Sequence, residues 1–373
     1  MFGFYKALAN LENYEVTVIV PKKIILEKVY ASKGVLFLDK ILTKNEYKLI
    51  PIPLISPEDY SKGFHLYKLW RAIKTINPDI IHVLDEPFSN TVFQVALGKS
   101  LKLFNQPLLF YAFGNQPYRF GKKQFLSALC LYKHIQGGGV SSEEGVEHLR
   151  NVPFAKKWKI EKIYWGIDCE IYRPISDKST LKKKLKLSFP YIIGFVGRFV
   201  PEKGLKVLLQ ALPPIPEEVH LVMLGEGPMK KDIYQMSSLL KIGDRVHILP
   251  PKPWSKVPLY LNCMDVLVLP SLTTSKWKEQ FGRILPEAMA CTTPVIGSNS
   301  AAIPEVIGSA GLIVREGDPT ELKRAICKII FDRELKKEFE IKGLERVNKY
   351  FSIEVFVHNL HRFYHHFLSD KNV

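Results

Sequence analysis

EQFGRILPEAMACTTPVIGSNSAAIPEVIG, residues 279–308, is the stretch whose reading decides the fold. One acid stands just before a Phe-Gly turn, a second follows eight positions later at Glu287, and the apolar run Pro294, Val295, Ile296 closes on a Ser/Asn loop and an Ile-Pro-Glu. That order predicts loop, helix, strand, loop. At about 100° per residue, eight positions leave two side chains roughly 80° apart on a helix. With Glu279 on the entering loop and Glu287 about a turn inside, a pocket at the helix start feels both carboxylates. The pair suits a sugar nucleotide, with Glu287 accepting from a ribose diol and Glu279 facing the sugar. Amides near Phe281, Gly282 and Arg283 would add donors at a positive dipole end. Spacing alone is also compatible with two solvated surface charges.

A second stretch shifts that balance. Residues 191–209, YIIGFVGRFVPEKGLKVLL, read as a buried strand, a Gly-x-x-Gly turn, a loop carrying Arg198 and Lys203, and a helix. Together, GRFVPEKG and EQFGRILPEAMA resemble the nucleotide-sugar glycosyltransferases of the GT-B fold, in particular the large retaining family 4. The likeness is close over the second half of the chain and loose over the first. It implies an α/β architecture of two Rossmann-like doubly wound domains facing each other across a cleft. The implied division is an acceptor-binding domain at 1–175, a nucleotide-sugar-binding domain at 176–350 and a terminal helix at 351–373 that crosses back. The family commonly has Gly at the positions of Thr292 and Ala301, where Gly permits a positive φ and close backbone approach.

Composition sets the outer limits. The 373 residues suit two domains, and 46% apolar with 12% aromatic residues is ample for two cores. Five cysteines at 130, 169, 263, 291 and 327 stand apart without metal-ligand spacing, so no metal or disulfide framework is expected and a reducing cytoplasm is the natural compartment. No apolar run reaches signal-peptide or membrane-spanning length. The net charge of +16 divides evenly, 24 basic against 16 acidic residues over 1–175 and 29 against 21 over the rest. An even spread marks no nucleic-acid face and is compatible with peripheral attraction to an anionic membrane surface at its inner face.

In chain order, a short helix at 2–11 and the strand EVTVIV at 15–20 open the sequence, where an α/β nucleotide fold normally opens with a strand and a Gly-rich turn. The expectation is that the first domain lacks its first strand and that the true start lies upstream of Met1. GVLFL, KLIPIPL, DIIHVL and PLLFYAF read as strands, with a helix over 60–76 and another from about 88 to 104. Asp85 and Glu86 follow one strand end; Gly114, Asn115 and Gln116 follow another. Strand ends face the ligand crevice in such sheets. The resemblance makes Asn115 a candidate contact for the donor sugar and puts Asp85 and Glu86 on the acceptor side, against plain turn chemistry as the alternative. Ser141 or Ser142 reads as an N-cap, and 175–190 as a linker. His361, His365 and His366 read as surface residues without an acidic partner, and Phe356, Phe363 and Phe367 as packing.

The resemblance implies a glycosyl-transferring enzyme that needs no metal or other cofactor. A nucleoside-diphosphate sugar is its co-substrate, and a saccharide or lipid-linked acceptor in envelope or polysaccharide synthesis its target. Arg198 and Lys203 would take the charge of the leaving pyrophosphate and, with Glu279, carry catalysis. The alternative is a catalytically weak sugar-nucleotide-binding partner in a polysaccharide assembly complex.

Overall fold

The computed structural model describes residues 3–11, 14–25, 35–38, 40–43, 46–115 and 131–368. They fall into two compact units, residues 1–166 with 356–373 and residues 167–355. Met1 and Gln116 lie outside the described residues.

The first unit opens with helix α1 (Gly3–Ala9) and strand β1 (Val16–Pro21), then a hairpin of β2 (Lys23–Ile25) and β3 (Val35–Phe37), and strands β4 (Leu42–Thr43) and β5 (Tyr47–Ile52). Helix α2 (Leu66–Ile76) begins later than the sequence pattern suggests. A short 3-10 turn at Tyr60–Lys62, capped by Asp59, ends at Gly63 with φ +80°, and Phe64 bridges back to Leu54. Then come β6 (Ile81–Val83), α3 (Asn90–Ser100), β7 (Leu108–Ala112), β8 (Ile135–Val140), α4 (Glu143–Arg150) and β9 (Lys159–Lys162). Ser142 is the N-cap of α4, its hydroxyl accepting from Gly145 N.

The parallel strands of this unit form two groups, β1 beside β5 and, in order, β6-β7-β8-β9. Among the described residues, β1 and β6 each have a ladder partner on one side alone, and every residue of β1 is only half-buried. The core under the larger group is aliphatic and aromatic, with Val92, Leu108, Phe110 and Val140 at zero exposure.

The second unit is a regular alternation: α5 (Lys178–Lys184), β10 (Tyr191–Val196), α6 (Leu205–Ala211), β11 (Val219–Leu224), α7 (Lys230–Leu239), β12 (Val246–Leu249), α8 (Val257–Leu261), β13 (Val266–Leu269), α9 (Ile284–Ala290), β14 (Val295–Ser298), α10 (Ile303–Ile307), β15 (Gly311–Val314), α11 (Pro319–Phe331) and α12 (Arg333–Arg346). The expected linker at 175–190 thus holds a helix, capped by Asp177, which accepts from Thr180 N. All six strands pair in parallel in the order β12-β11-β10-β13-β14-β15. Their short apolar runs, such as Val-Leu-Val-Leu in β13 with every residue buried, are what a sheet covered on both faces requires. The order reverses beside β10, so the loops after β10 and β13 diverge at the strands' carboxyl ends.

Helix α13 (Ile353–Leu368) ends the described chain. Phe356 and Phe363 are fully buried, and Phe356 packs edge-on against Phe4 and Tyr111. The histidines are not all surface residues without partners. His361 Nδ1 lies 3.1 Å from the Tyr14 hydroxyl, and His366 Nε2 lies 3.4 Å from a Glu161 carboxylate oxygen. The sequence pattern missed these partners because they sit some 200 and 350 positions away.

One buried cation makes the first unit's packing testable. Lys99, 7% exposed near the end of α3, donates to the carbonyls of Asn105 and Gln106 and to Gln136 Oε1 at 3.2 Å. Burial lowers its pKa from 10.5 to about 8. Between those values the unfolded chain holds the extra proton, so this group's contribution to stability rises with pH across that window. Buried thiols of Cys263 and Cys291, pushed up to about 11 and about 12, oppose it, which makes the difference between variants the informative quantity. Thermal melts at pH 7.0 and 9.5 should show wild type losing less, or gaining more, than Lys99→Met, by about 2 °C or more. Parallel changes in the two proteins would contradict the assignment.

Candidate functional site

The loop after β10 is built by backbone interlock. Gly197 N donates to Leu224 O and Phe199 N to Glu226 O, at 3.1 and 2.8 Å, tying it to the Gly-Glu-Gly turn after β11. A side chain on Gly225 would run into Gly197 O. Phe199 is fully buried, whereas Arg198 beside it is exposed and forms no ion pair with another described residue. A 3-10 turn at Pro201–Lys203 ends on Gly204, φ +67°, where any Cβ would strike the Pro270 carbonyl oxygen. Only glycine lets the turn lie directly on the end of β13. Leu272 N then donates to Glu202 O at 2.8 Å.

That contact delivers Lys203 to Glu279. The ammonium donates to Glu279 Oε2 at 2.6 Å, the Ser271 hydroxyl donates to the same oxygen at 2.7 Å, and the lysine nitrogen sits 4.9 Å above the Trp277 ring. The side chains of Lys203 and Glu279 are 15% and 8% exposed, so this is a largely desolvated pair. Such a pair holds only where both charges keep good geometry.

Gly282, φ +71°, turns the chain into α9, a helix of seven residues with Glu287 in its first turn. Phe281 is buried edge-on against Phe351, with ring centroids 5.9 Å apart, and so anchors the turn by packing. Glu287 Oε1 accepts from Arg283 Nε at 2.7 Å, and the Tyr172 hydroxyl, which donates to Trp254 O at 3.3 Å, lies close enough to interact with the same carboxylate. Burial pushes the Glu287 pKa up, and the Arg283 guanidinium opposes that. The phenol of Tyr172 is raised as well, chiefly by burial. Tyr172 lies in a Tyr-Arg-Pro that reads in sequence as a linker anchor, and nothing local signals its partner more than a hundred positions on.

Both positions where the family commonly has glycine adopt left-handed backbone: Thr292 at φ +53° and Ala301 at φ +42°. Thr292 N donates to Met289 O and Thr293 N to Ala288 O, each at 3.0 Å, a Schellman cap closing α9 with a β-branched residue where glycine is usual. Ala301 follows Ser300, whose hydroxyl lies 2.9 Å from Thr273 Oγ1. Thr273 donates its hydroxyl to Glu316 Oε1 at 2.7 Å and its amide to Glu316 Oε2, and Glu316 N donates to Asn299 Oδ1 at 2.8 Å. The loops after β13, β14 and β15 are thereby laced together.

In the first unit, Asn115 is fully buried at the end of β7. Glu86 Oε1 accepts from Phe113 N and Gly114 N at 3.0 and 2.7 Å, and Asp85 Oδ1 accepts from Glu86 N at 2.8 Å. Glu86 therefore shapes the turn that carries Asn115. Of the predicted residues, the structure joins Lys203 to Glu279, sets Phe281 and Gly282 at the entry to the helix bearing Glu287, and joins Glu86 to the Asn115 turn. The side chain of Arg283, along with Tyr172, Ser271 and Trp277, was missed. No group of three or more His, Cys, Asp or Glu able to hold a metal occurs among the described residues, and no helix there is long and apolar enough to cross a membrane.

Residues 177–346 match the family model described as glycosyl transferases group 1. Among curated proteins, the chain is 32% identical over 219 residues to the N-acetyl-alpha-D-glucosaminyl L-malate synthase of Bacillus anthracis, covering 57% of this chain and 55% of that one. It spans about half the length of the curated relatives it matches. Among solved structures, sucrose-phosphate synthase from Thermosynechococcus elongatus superposes with a TM-score of 0.75 at 21% identity, over 98% of this chain and 92% of the other. Anabaena HepE in complex with UDP gives 0.67 at 21% identity, over 80% and 81%. The fold is thus the GT-B α/β fold.

The left-handed Thr292 yields a direct stability test. An L-residue there costs roughly 1–2 kcal/mol, and glycine's greater unfolded-state freedom takes back about 0.4–1 kcal/mol. Thr292→Gly should raise the midpoint of chemical denaturation without changing its slope. A lowered midpoint would show that the Thr292 hydroxyl, which donates to Cys291 O at 2.7 Å, outweighs the backbone strain.

Proposed function

We propose that this chain is a retaining glycosyltransferase that moves a sugar from a nucleoside-diphosphate donor to a saccharide or lipid-linked acceptor. The observation that carries the reading is the buried Lys203–Glu279 pair at the carboxyl ends of the parallel strands, inside the stretch that matches glycosyl transferases group 1. The likeness to HepE, whose structure holds UDP, supports a nucleotide donor.

In this reading the donor competes with Glu279 for Lys203. The pyrophosphate carries more charge than one carboxylate and draws the ammonium away, leaving Glu279 turned toward the sugar. Arg198, exposed on the neighbouring loop, grips phosphate oxygens with its planar fork. As the bond from the anomeric carbon to the phosphate oxygen breaks, charge grows on the leaving diphosphate. Two cations already at the diphosphate when the bond breaks stabilise that charge. The acceptor oxygen bonds to the anomeric carbon on the face the phosphate leaves. Its proton passes to a phosphate oxygen, so configuration is retained without a covalent nucleophile on the protein.

Glu287 holds the ribose. Arg283 and Tyr172 fix its carboxylate, and a ribose diol offers two donors to a group whose burial makes unpaired lone pairs costly. Asp85 and Glu86 belong to the first unit, to which we assign acceptor recognition. Thr292 and Ala301 bear on the weaker, non-catalytic reading. Both keep a left-handed backbone at energetic cost, so the path of the donor loops is maintained despite the side chains, which favours the active enzyme.

Arg198→Ala should melt like wild type yet lose about 10² or more in kcat, by analogy with loss of one oxyanion donor. Near-normal turnover would contradict its role. A donor with 2′-deoxyribose should bind wild type much more weakly than the ribose donor, and the penalty should shrink in Glu287→Ala. Equal binding of the two donors by wild type, measured by calorimetry after a thermal-shift screen of UDP-, GDP- and ADP-sugars, would overturn the ribose assignment.

A further inference from the structure

We propose that Trp277 is a positioning residue for Lys203, holding its ammonium at the donor phosphates after Glu279 has let it go. The inference rests on the donor site described above and adds a residue to it.

The geometry is specific. The Lys203 nitrogen has a carboxylate oxygen at 2.6 Å on one side and the Trp277 ring centroid at 4.9 Å on another. The two contacts differ in how they respond to a ligand. The hydrogen bond to Glu279 is directional and is surrendered when the ammonium turns to a phosphate. Attraction to an aromatic face is broad in angle and survives a swing of the side chain. A lysine on four flexible carbons otherwise loses much rotamer freedom when fixed at a ligand. The ring removes part of that cost in advance.

Trp277 is itself held by a built loop rather than by the hydrophobic core. Thr274 N donates to Trp277 O at 2.7 Å and Trp277 N to Thr274 Oγ1 at 2.9 Å, closing a tight turn. The preceding residue, Thr273, is fastened by Glu316, and Leu272 N by Glu202 O on the turn that carries Lys203. The loop holding the ring and the turn holding the ammonium are therefore fastened to each other at their bases. A ring placed only to cover the core would need neither fastening.

The role predicts a loss that depends on phosphate. Calorimetric titrations would use UDP, GDP and ADP, and then the nucleoside of whichever diphosphate binds. A cation–π contact of this kind is worth roughly two- to thirtyfold in affinity. Trp277→Ala should weaken the diphosphate about tenfold and leave the nucleoside unchanged. Trp277→Phe should recover most of the loss. In a Lys203→Met background, Trp277→Ala should cause no further change. An equal loss for diphosphate and nucleoside, or an undiminished loss without Lys203, would overturn the proposal while leaving the donor site standing. Failure of wild type to bind any of the three diphosphates would overturn the donor site itself, and this inference with it.

Discussion

A buried cation beside a buried anion is the constraint on which this molecule's second unit turns. Removing Lys203 and Glu279 from water costs several kcal/mol per ion before their attraction is counted. The surroundings are shaped to meet that cost. Gly204 lets the lysine's turn rest against Pro270, Ser271 supplies a hydroxyl to the carboxylate, and Trp277 covers the ammonium. A purely structural pair would be replaceable by packed apolar groups with little loss. On the proposed function the cation has a second, more highly charged partner in the donor, and the pair is its resting state.

The same logic separates the two acids. Glu279 is matched to a lysine from another loop, and in the proposed reaction that partner leaves. Glu287 is matched to Arg283 four residues back on its own chain and to Tyr172, so its geometry is fixed before any ligand arrives. One carboxylate is arranged to exchange partners, the other to wait in place. The α9 helix that carries Glu287 has seven residues, too short for its dipole to dominate, which leaves the charge work to side chains.

Much of this was legible in the sequence where the signal is local. The apolar runs and their Gly-rich turns predicted the parallel sheet of the second unit, and the spacing of Glu279 and Glu287 placed one on a loop and one in the first helical turn. Thr292 and Ala301 stood out as side chains in places that favour glycine, and both are left-handed. What escaped was long-range. Tyr172 meets Glu287, and Glu316 fastens Thr273, only because the fold brings together loops and turns distant in sequence. The same reason hid Glu161 from His366. Glu86 reads as an acceptor-side acid or a turn residue, yet its carboxylate is occupied by the amides of Phe113 and Gly114, a use of charge that no local pattern records. The helix at 178–184 was hidden by composition, since a Lys-rich surface helix and a Lys-rich linker look alike until the Asp177 cap is seen.

The central claim is that Lys203 is shared between Glu279 and a donor's pyrophosphate, and calorimetry of a nucleoside diphosphate against Glu279→Gln tests it most directly. Neutralising the carboxylate releases the ammonium, so the variant should bind the diphosphate more tightly than wild type, and the gain should vanish when Lys203 is replaced by methionine. Weaker binding by Glu279→Gln, or a gain that persists without Lys203, would contradict the account.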